Sequence, residues 1–130
     1  MLVDSKGYLW VATAVGLNRY DGYDVVRFNN FNGDRTKPIL NIEKIQEDAL
    51  GNIWIENTDM LARYNRYANR FDLEITDYLN SLGFKLKKGK AVRVKTVSDG
   101  GLWVITENKI SYLNVKKNKG IKTWNVNISP

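Results

Sequence analysis

Asp4 to Asp21 reads DSKGYLWVATAVGLNRYD, and Asp48 to Asn65 reads DALGNIWIENTDMLARYN. At an offset of 44 residues the two align without a gap. Six positions are identical: Asp4/Asp48, Gly7/Gly51, Trp10/Trp54, Leu17/Leu61, Arg19/Arg63 and Tyr20/Tyr64. Leu9/Ile53, Val11/Ile55 and Asp21/Asn65 are conservative pairs. A looser third copy, SDGGLWVITENKISYLN, is centred on Trp103, 49 residues beyond Trp54. It keeps Gly100, Leu102, Trp103, Val104, Thr106 and Ile110, while its Asp99 is displaced and its Arg-Tyr pair is lost. A chain that repeats at this period is built from stacked supersecondary units.

Each copy reads as strands. Asn52-Ile53-Trp54-Ile55-Glu56 alternates polar and apolar residues around tryptophan and β-branched side chains, the pattern of a half-buried strand. The preceding Asp-x-x-Gly is a turn, because Asp bonds its own backbone two residues on and Gly accepts positive φ. Gly16 to Tyr20 supplies the next strand, and Asp21-Gly22 is a two-residue hairpin signal. Val25, Val26 and Phe28 form an outer strand, with Arg70 to Leu73 as its counterpart. Ile42–Gln46 and Val92–Lys95 supply inner strands for copies two and three.

Four short antiparallel strands per repeat of this length make a β-propeller blade. The expected fold is therefore all-β, with about three four-stranded antiparallel meanders and the first blade lacking its inner strand. Blade one covers 1–31, blade two 40–75 and blade three 91–130, joined by connections at 29–41 and 75–91. Three blades fall short of the four to eight of typical rings, so the ring is incomplete. Exposed strand edges then favour self-association.

Composition removes several chemistries. The chain of 130 residues is 43% hydrophobic and 26% charged, an ordinary globular balance. It has no cysteine, hence no disulfide, thiol catalysis or Cys-based metal site. It has no histidine, so a Ser-His-Asp triad is impossible. No cofactor, metal site or membrane contact is expected, and no signal peptide is read in the opening residues. Glu43 and Glu47 share one side of their strand, but glycosidase chemistry needs two carboxyls facing one cleft at about 5–10 Å. Catalysis is not the expectation.

The phrases at Asp4–Asp21 and Glu47–Ile55 resemble the two-component regulator propeller repeat. That repeat occurs in the periplasmic sensor region of hybrid two-component histidine kinase/response regulators of gut Bacteroidetes. The resemblance spans nearly the whole chain, although Met60 stands where the family has glycine and copy three has lost its G-L-N-R-Y stretch. It implies a non-catalytic sensor segment tied to carbohydrate signalling, periplasmic in location, with an oligosaccharide as ligand. The alternatives are a purely structural propeller segment, or a module for anions such as acidic glycans or nucleic acid.

Charge gives the candidate site. Residues 1–84 carry net −3 and residues 85–130 net +9. Lys85, Lys87, Lys88 and Lys90 crowd the second connection, and Lys116, Lys117, Lys119 and Lys122 crowd the last hairpin. The ligand candidates are Lys85, Lys87, Lys88 and Tyr78, set against the plainer reading of a solvated loop guarding an edge. Only Tyr78 and Phe84 interleave with the first cluster, so nucleic acid is disfavoured. The repeated Trp10, Trp54 and Trp103 are read as packing between blades, Asp4, Asp48, Gly7 and Gly51 as turn formers, and Arg19, Arg63, Tyr20 and Tyr64 as structural.

Overall fold

A computed structural model describes residues 1–117 and 119–126. Positions 118 and 127–130, which fall in the range assigned to blade three, lie outside the described residues. The described chain gathers into two compact bodies: residues 1–47 with 51–73, and residues 48–50 with the chain from Glu74 onward.

The first body holds two four-stranded antiparallel sheets, each a meander in chain order. One comprises β1 (Leu2–Val3), β2 (Leu9–Thr13), β3 (Gly16–Tyr20) and β4 (Val25–Phe28). The other comprises β5 (Lys44–Glu47), β6 (Ile53–Glu56), β7 (Leu61–Asn65) and β8 (Arg70–Asp72). The registers repeat as the sequences do: Trp10 pairs with Arg19 and Trp54 with Arg63, while Leu9 pairs with Tyr20 and Ile53 with Tyr64.

Two expectations need correction. Blade one does not lack its inner strand. Leu2 and Val3 pair with Trp10 and Leu9, and a two-residue strand is too short to show the alternation that betrays the others. Nor is Asp21-Gly22 a two-residue hairpin, since the loop between β3 and β4 runs over 21–24. Asp21 Oδ1 accepts the N–H groups of Tyr23 and Asp24, both at 2.8 Å, so the Asp side chain closes a wider turn.

The period-2 alternation decides which face each side chain joins, although β6 is buried on both. Ile53, Ile55, Ala62, Tyr64 and Phe71 occupy one face of the second sheet. They pack with Trp10, Leu17, Phe31 and Ile39 in a single core. The 29–41 connection is tied down at its tip. Asn32, in a left-handed conformation at φ +55°, accepts the Phe71 N–H at 2.7 Å and donates to the Phe71 carbonyl at 2.9 Å. One amide side chain thus imitates a strand partner on the β8 edge.

The second body holds a short helix and the third sheet. Helix α1 (Thr76–Ser81) is followed by β9 (Arg93–Thr96), β10 (Gly101–Ile105), β11 (Lys109–Asn114) and β12 (Lys122–Asn125), again a meander. Hydrogen bonds from the Thr76 side chain and backbone hold the Glu74 carboxyl below its ordinary pKa at the start of α1. Gly83, at φ +107°, turns the chain away after the helix. Leu102, Val104, Leu113 and Val94 are buried on one face of this sheet.

Candidate functional site

The repeated residues go to the joint between the first two sheets. Asp4 Oδ1 accepts the N–H groups of Lys6 and Tyr8, each at 2.9 Å, and Oδ2 accepts the Trp10 indole N–H at 2.8 Å. Arg66, from the turn after β7, places Nη2 3.3 Å from Asp4 Oδ2 and 3.1 Å from Glu47 Oε2. Burial favours the neutral form of Asp4, but the Trp10, Tyr8 and Lys6 hydrogen bonds and the Arg66 charge outweigh it. The pKa is held below the ordinary 3.8. Glu47 also accepts the Ser5 N–H and hydroxyl, at 2.8 and 2.6 Å, so this carboxylate is a joint residue with no reactive posture. Glu43 is exposed.

Trp10 stacks on Phe28 at 5.8 Å and 12°, and Tyr64 meets it edge-on at 5.3 Å. The Arg19 guanidinium lies over Tyr8, Trp10, Phe28 and Tyr64 at 5.4–6.0 Å and donates to the Tyr64 hydroxyl at 3.1 Å. Tyr64 in turn donates to Asn69. Arg63 is the repeat equivalent of Arg19 but bonds polar groups instead, Asn52 Oδ1 at 2.8 Å and Asp72 Oδ2 at 3.5 Å. The difference is local, because Asn52 and Asp72 stand where the first sheet has Tyr8 and Val26.

The other repeat residues divide by environment. Trp54 is fully buried and Trp103 half-buried. Asp48 Oδ1 accepts the Leu50 N–H at 3.0 Å, and Gly7 and Gly51 hold φ of +82° and +86° in the matching turns. Tyr20 departs from its equivalent, being 39% exposed where Tyr64 is 2%. In copy three, Asp99 Oδ1 accepts the Gly101 N–H at 3.0 Å.

The lysines bring a cleft into view. Within the second body a concavity of about 880 Å3 opens between the 82–92 segment, the Thr106–Lys109 turn and the far side of β11 and β12. Its apolar lining comes from Phe84, Val92, Leu113 and Ile121. Lys85, Lys87, Lys90 and Lys109 line it, with Glu107 as the opposing charge. Ser111 and Thr123 contribute a pair of hydroxyls 3.0 Å apart. Asn80 of α1 positions the lysine segment. Its side chain donates to the Leu86 carbonyl at 3.0 Å and accepts the Leu86 N–H at 2.8 Å.

Of the four expected ligand residues, the cleft gathers Lys85 and Lys87 and leaves out Lys88 and Tyr78. Lys88 instead pairs with Asp77 at 3.3 Å on the surface. Lys88 begins the turn that follows the lining run 82–87, and the chain leaves the cleft there. Lys109 joins them from a turn far away in sequence. Lys116, Lys117, Lys119 and Lys122 do not line the cleft. Among the described residues no group of three or more His, Asp or Glu side chains is placed to hold a metal ion. No helix among them is long and apolar enough to cross a membrane.

No family model and no curated protein matches the sequence. Solved structures do match in fold. One is the extracellular domain of a protein described as a hybrid two component system, BT3049 from B. thetaiotaomicron. It is 23% identical with a TM-score of 0.52, and the match covers 95% of this chain and 18% of that one. Another is the corresponding domain of BT4673 from the same organism, at 18% identity and TM-score 0.58, covering 98% of this chain and 18% of that one. The chain folds as propeller blades like theirs. Both neighbours come from the class of system whose repeat the sequence resembles, so fold and motif agree. The chain spans under a fifth of the length of either.

Proposed function

We propose that this chain is a ligand-binding segment of the extracytoplasmic sensor region of a hybrid two-component system. Its ligand is an oligosaccharide bearing acidic groups, held in the cleft of the second body. The observation that carries this reading is the lining itself. Four lysines from two separate segments surround an apolar floor that also presents a hydroxyl pair. Apolar surface with a few converging polar groups is the usual make-up of a small-ligand site. A carboxylated or sulfated sugar ring offers an apolar face to the half-buried Val92 and Ile121, and its charges to Lys85, Lys87 and Lys109. The fold shared with extracellular domains of two hybrid systems supports the sensor assignment and the location.

The purely structural reading draws on the other half of the molecule, where the repeat residues are committed to turns and packing. Calorimetric titration with acidic and neutral oligosaccharides separates the two. Saturable binding of an acidic sugar that Lys85→Ala and Lys109→Ala each weaken by about tenfold supports the sensor cleft. No heat with any acidic sugar leaves the structural reading. Tight binding of single-stranded DNA would replace the glycan with a nucleic acid, although Phe84 is buried and offers no stacking platform.

A further inference from the structure

The carboxylates of the second body are accounted for, with one exception. Asp48 Oδ1 accepts the Leu50 N–H at 3.0 Å, and Glu74 Oε1 accepts the Thr76 N–H at 2.9 Å. Asp77 pairs with Lys88 at 3.3 Å, and Asp99 Oδ1 accepts the Gly101 N–H at 3.0 Å. Glu107 has neither an ion pair nor a hydrogen bond to its side chain among the described residues. It is also the one acidic residue among those lining the lysine cleft.

The lysines of the cleft do not neutralise it. Lys85, Lys87, Lys90 and Lys109 line the same concavity, and none forms an ion pair with Glu107 or with another described carboxylate. Four ammonium groups and one carboxylate therefore border one space without cancelling in pairs.

Both signs of charge sit on firm mounts. The Lys85–Lys87 stretch is held by the double hydrogen bond between Asn80 and Leu86. Glu107 stands at the tip of the tight hairpin between β10 and β11. The Thr106 N–H donates to the Lys109 carbonyl at 2.9 Å, and the Thr106 hydroxyl reaches the same oxygen at 3.4 Å. The Asn108 carbonyl accepts the Val126 N–H at 2.8 Å. Backbone on both sides of Glu107 is thus fixed in advance, which lowers the ordering cost of binding.

Resting on the reading of this cleft as an acidic-sugar site, we infer that its ligand is zwitterionic. It is an acidic oligosaccharide that also carries a free amino group, the ammonium paired with Glu107 and the acid groups with Lys85, Lys87 and Lys109. An N-acetylated sugar in the same place leaves Glu107 to repel the acid groups of the ligand. Complementary charges of both signs also fix the register of a repetitive chain.

Matched probes test this on the full chain. They are tetrasaccharides of hyaluronan, chondroitin and heparosan, each with its N-acetyl groups and after their removal. De-acetylation keeps the carboxylates, adds ammonium groups and makes the probe less negative. A cleft that reads negative charge alone holds the acetylated probe at least as tightly. Recognition by Glu107 inverts that order. Calorimetric titration slightly below neutral pH, where the sugar amine is protonated, should show at least one de-acetylated probe binding about fivefold more tightly than its parent. Glu107→Gln should erase the preference; circular dichroism checks its fold, and Glu107→Ser replaces it if it is unfolded. Acetylated probes that bind equally or more tightly in every pair overturn this inference and leave the acidic-sugar reading standing. A preference that survives Glu107→Gln overturns it as well. Binding of no probe in the set takes down the acidic-sugar reading and this inference with it.

Discussion

Asp4 shows how much one short side chain can organise. Its carboxylate closes a turn, orients the Trp10 indole and faces Arg66 from the neighbouring sheet. Asp4→Ala leaves the indole N–H and the guanidinium without that partner and should cost about 3 kcal/mol, read from urea unfolding. The sign of its pH dependence follows from the lowered pKa. The unfolded chain holds the Asp4 proton more tightly, so the stabilisation is complete above the ordinary value and is lost as pH falls through the folded one. Asp4→Asn should therefore flatten the acid side of the stability profile. Gly7 makes a smaller contribution: at φ +82° with open space around it, Gly7→Ala should cost about 1 kcal/mol in the same assay, from backbone strain alone.

Elements in this chain are fixed by neighbours that sequence periodicity does not reveal. Asn80→Ala should release the lysine segment from α1 and weaken acidic-sugar binding severalfold by calorimetry, with every lysine still present. Most strands and the Asp-x-x-Gly turns were legible, because tryptophan, β-branched and turn signals are local, whereas β1 is too short to carry such a signal and the turn at Asp21 is wider than its Asp-Gly pair suggests. The lysine cluster was half legible. Lys85 and Lys87 crowd together in sequence, whereas Lys109 reaches the cleft only because β11 starts beside the 82–92 segment. The inequality of Tyr20 and Tyr64 was not legible at all. Identical residues at equivalent repeat positions differ in burial according to what the fold sets beside them. Arg19 and Arg63 part company for a related reason, the exchange of Tyr8 and Val26 for Asn52 and Asp72.

Across the whole molecule, the excess positive charge of residues 85–130 makes binding at the lysine cleft sensitive to salt. Raising salt to about 1 M shrinks the Debye length to about 3 Å, which should largely abolish acidic-sugar binding at the lysine cleft. Calorimetry across a salt series should show affinity for the acidic sugar falling steadily. An affinity that does not change with salt would mean that the lysines do not hold the sugar.

The hold of Asn32 on Phe71 makes the 29–41 connection a natural graft site. Foreign sequence can be spliced over the exposed Arg35 and Thr36, provided Phe31 and Ile39 keep their places in the core and an amide remains at position 32 in the left-handed conformation. A graft that replaces Asn32 uncaps the outer border of the second sheet, and such a chimera should be recovered as insoluble material while its neighbours on the same loop stay in solution.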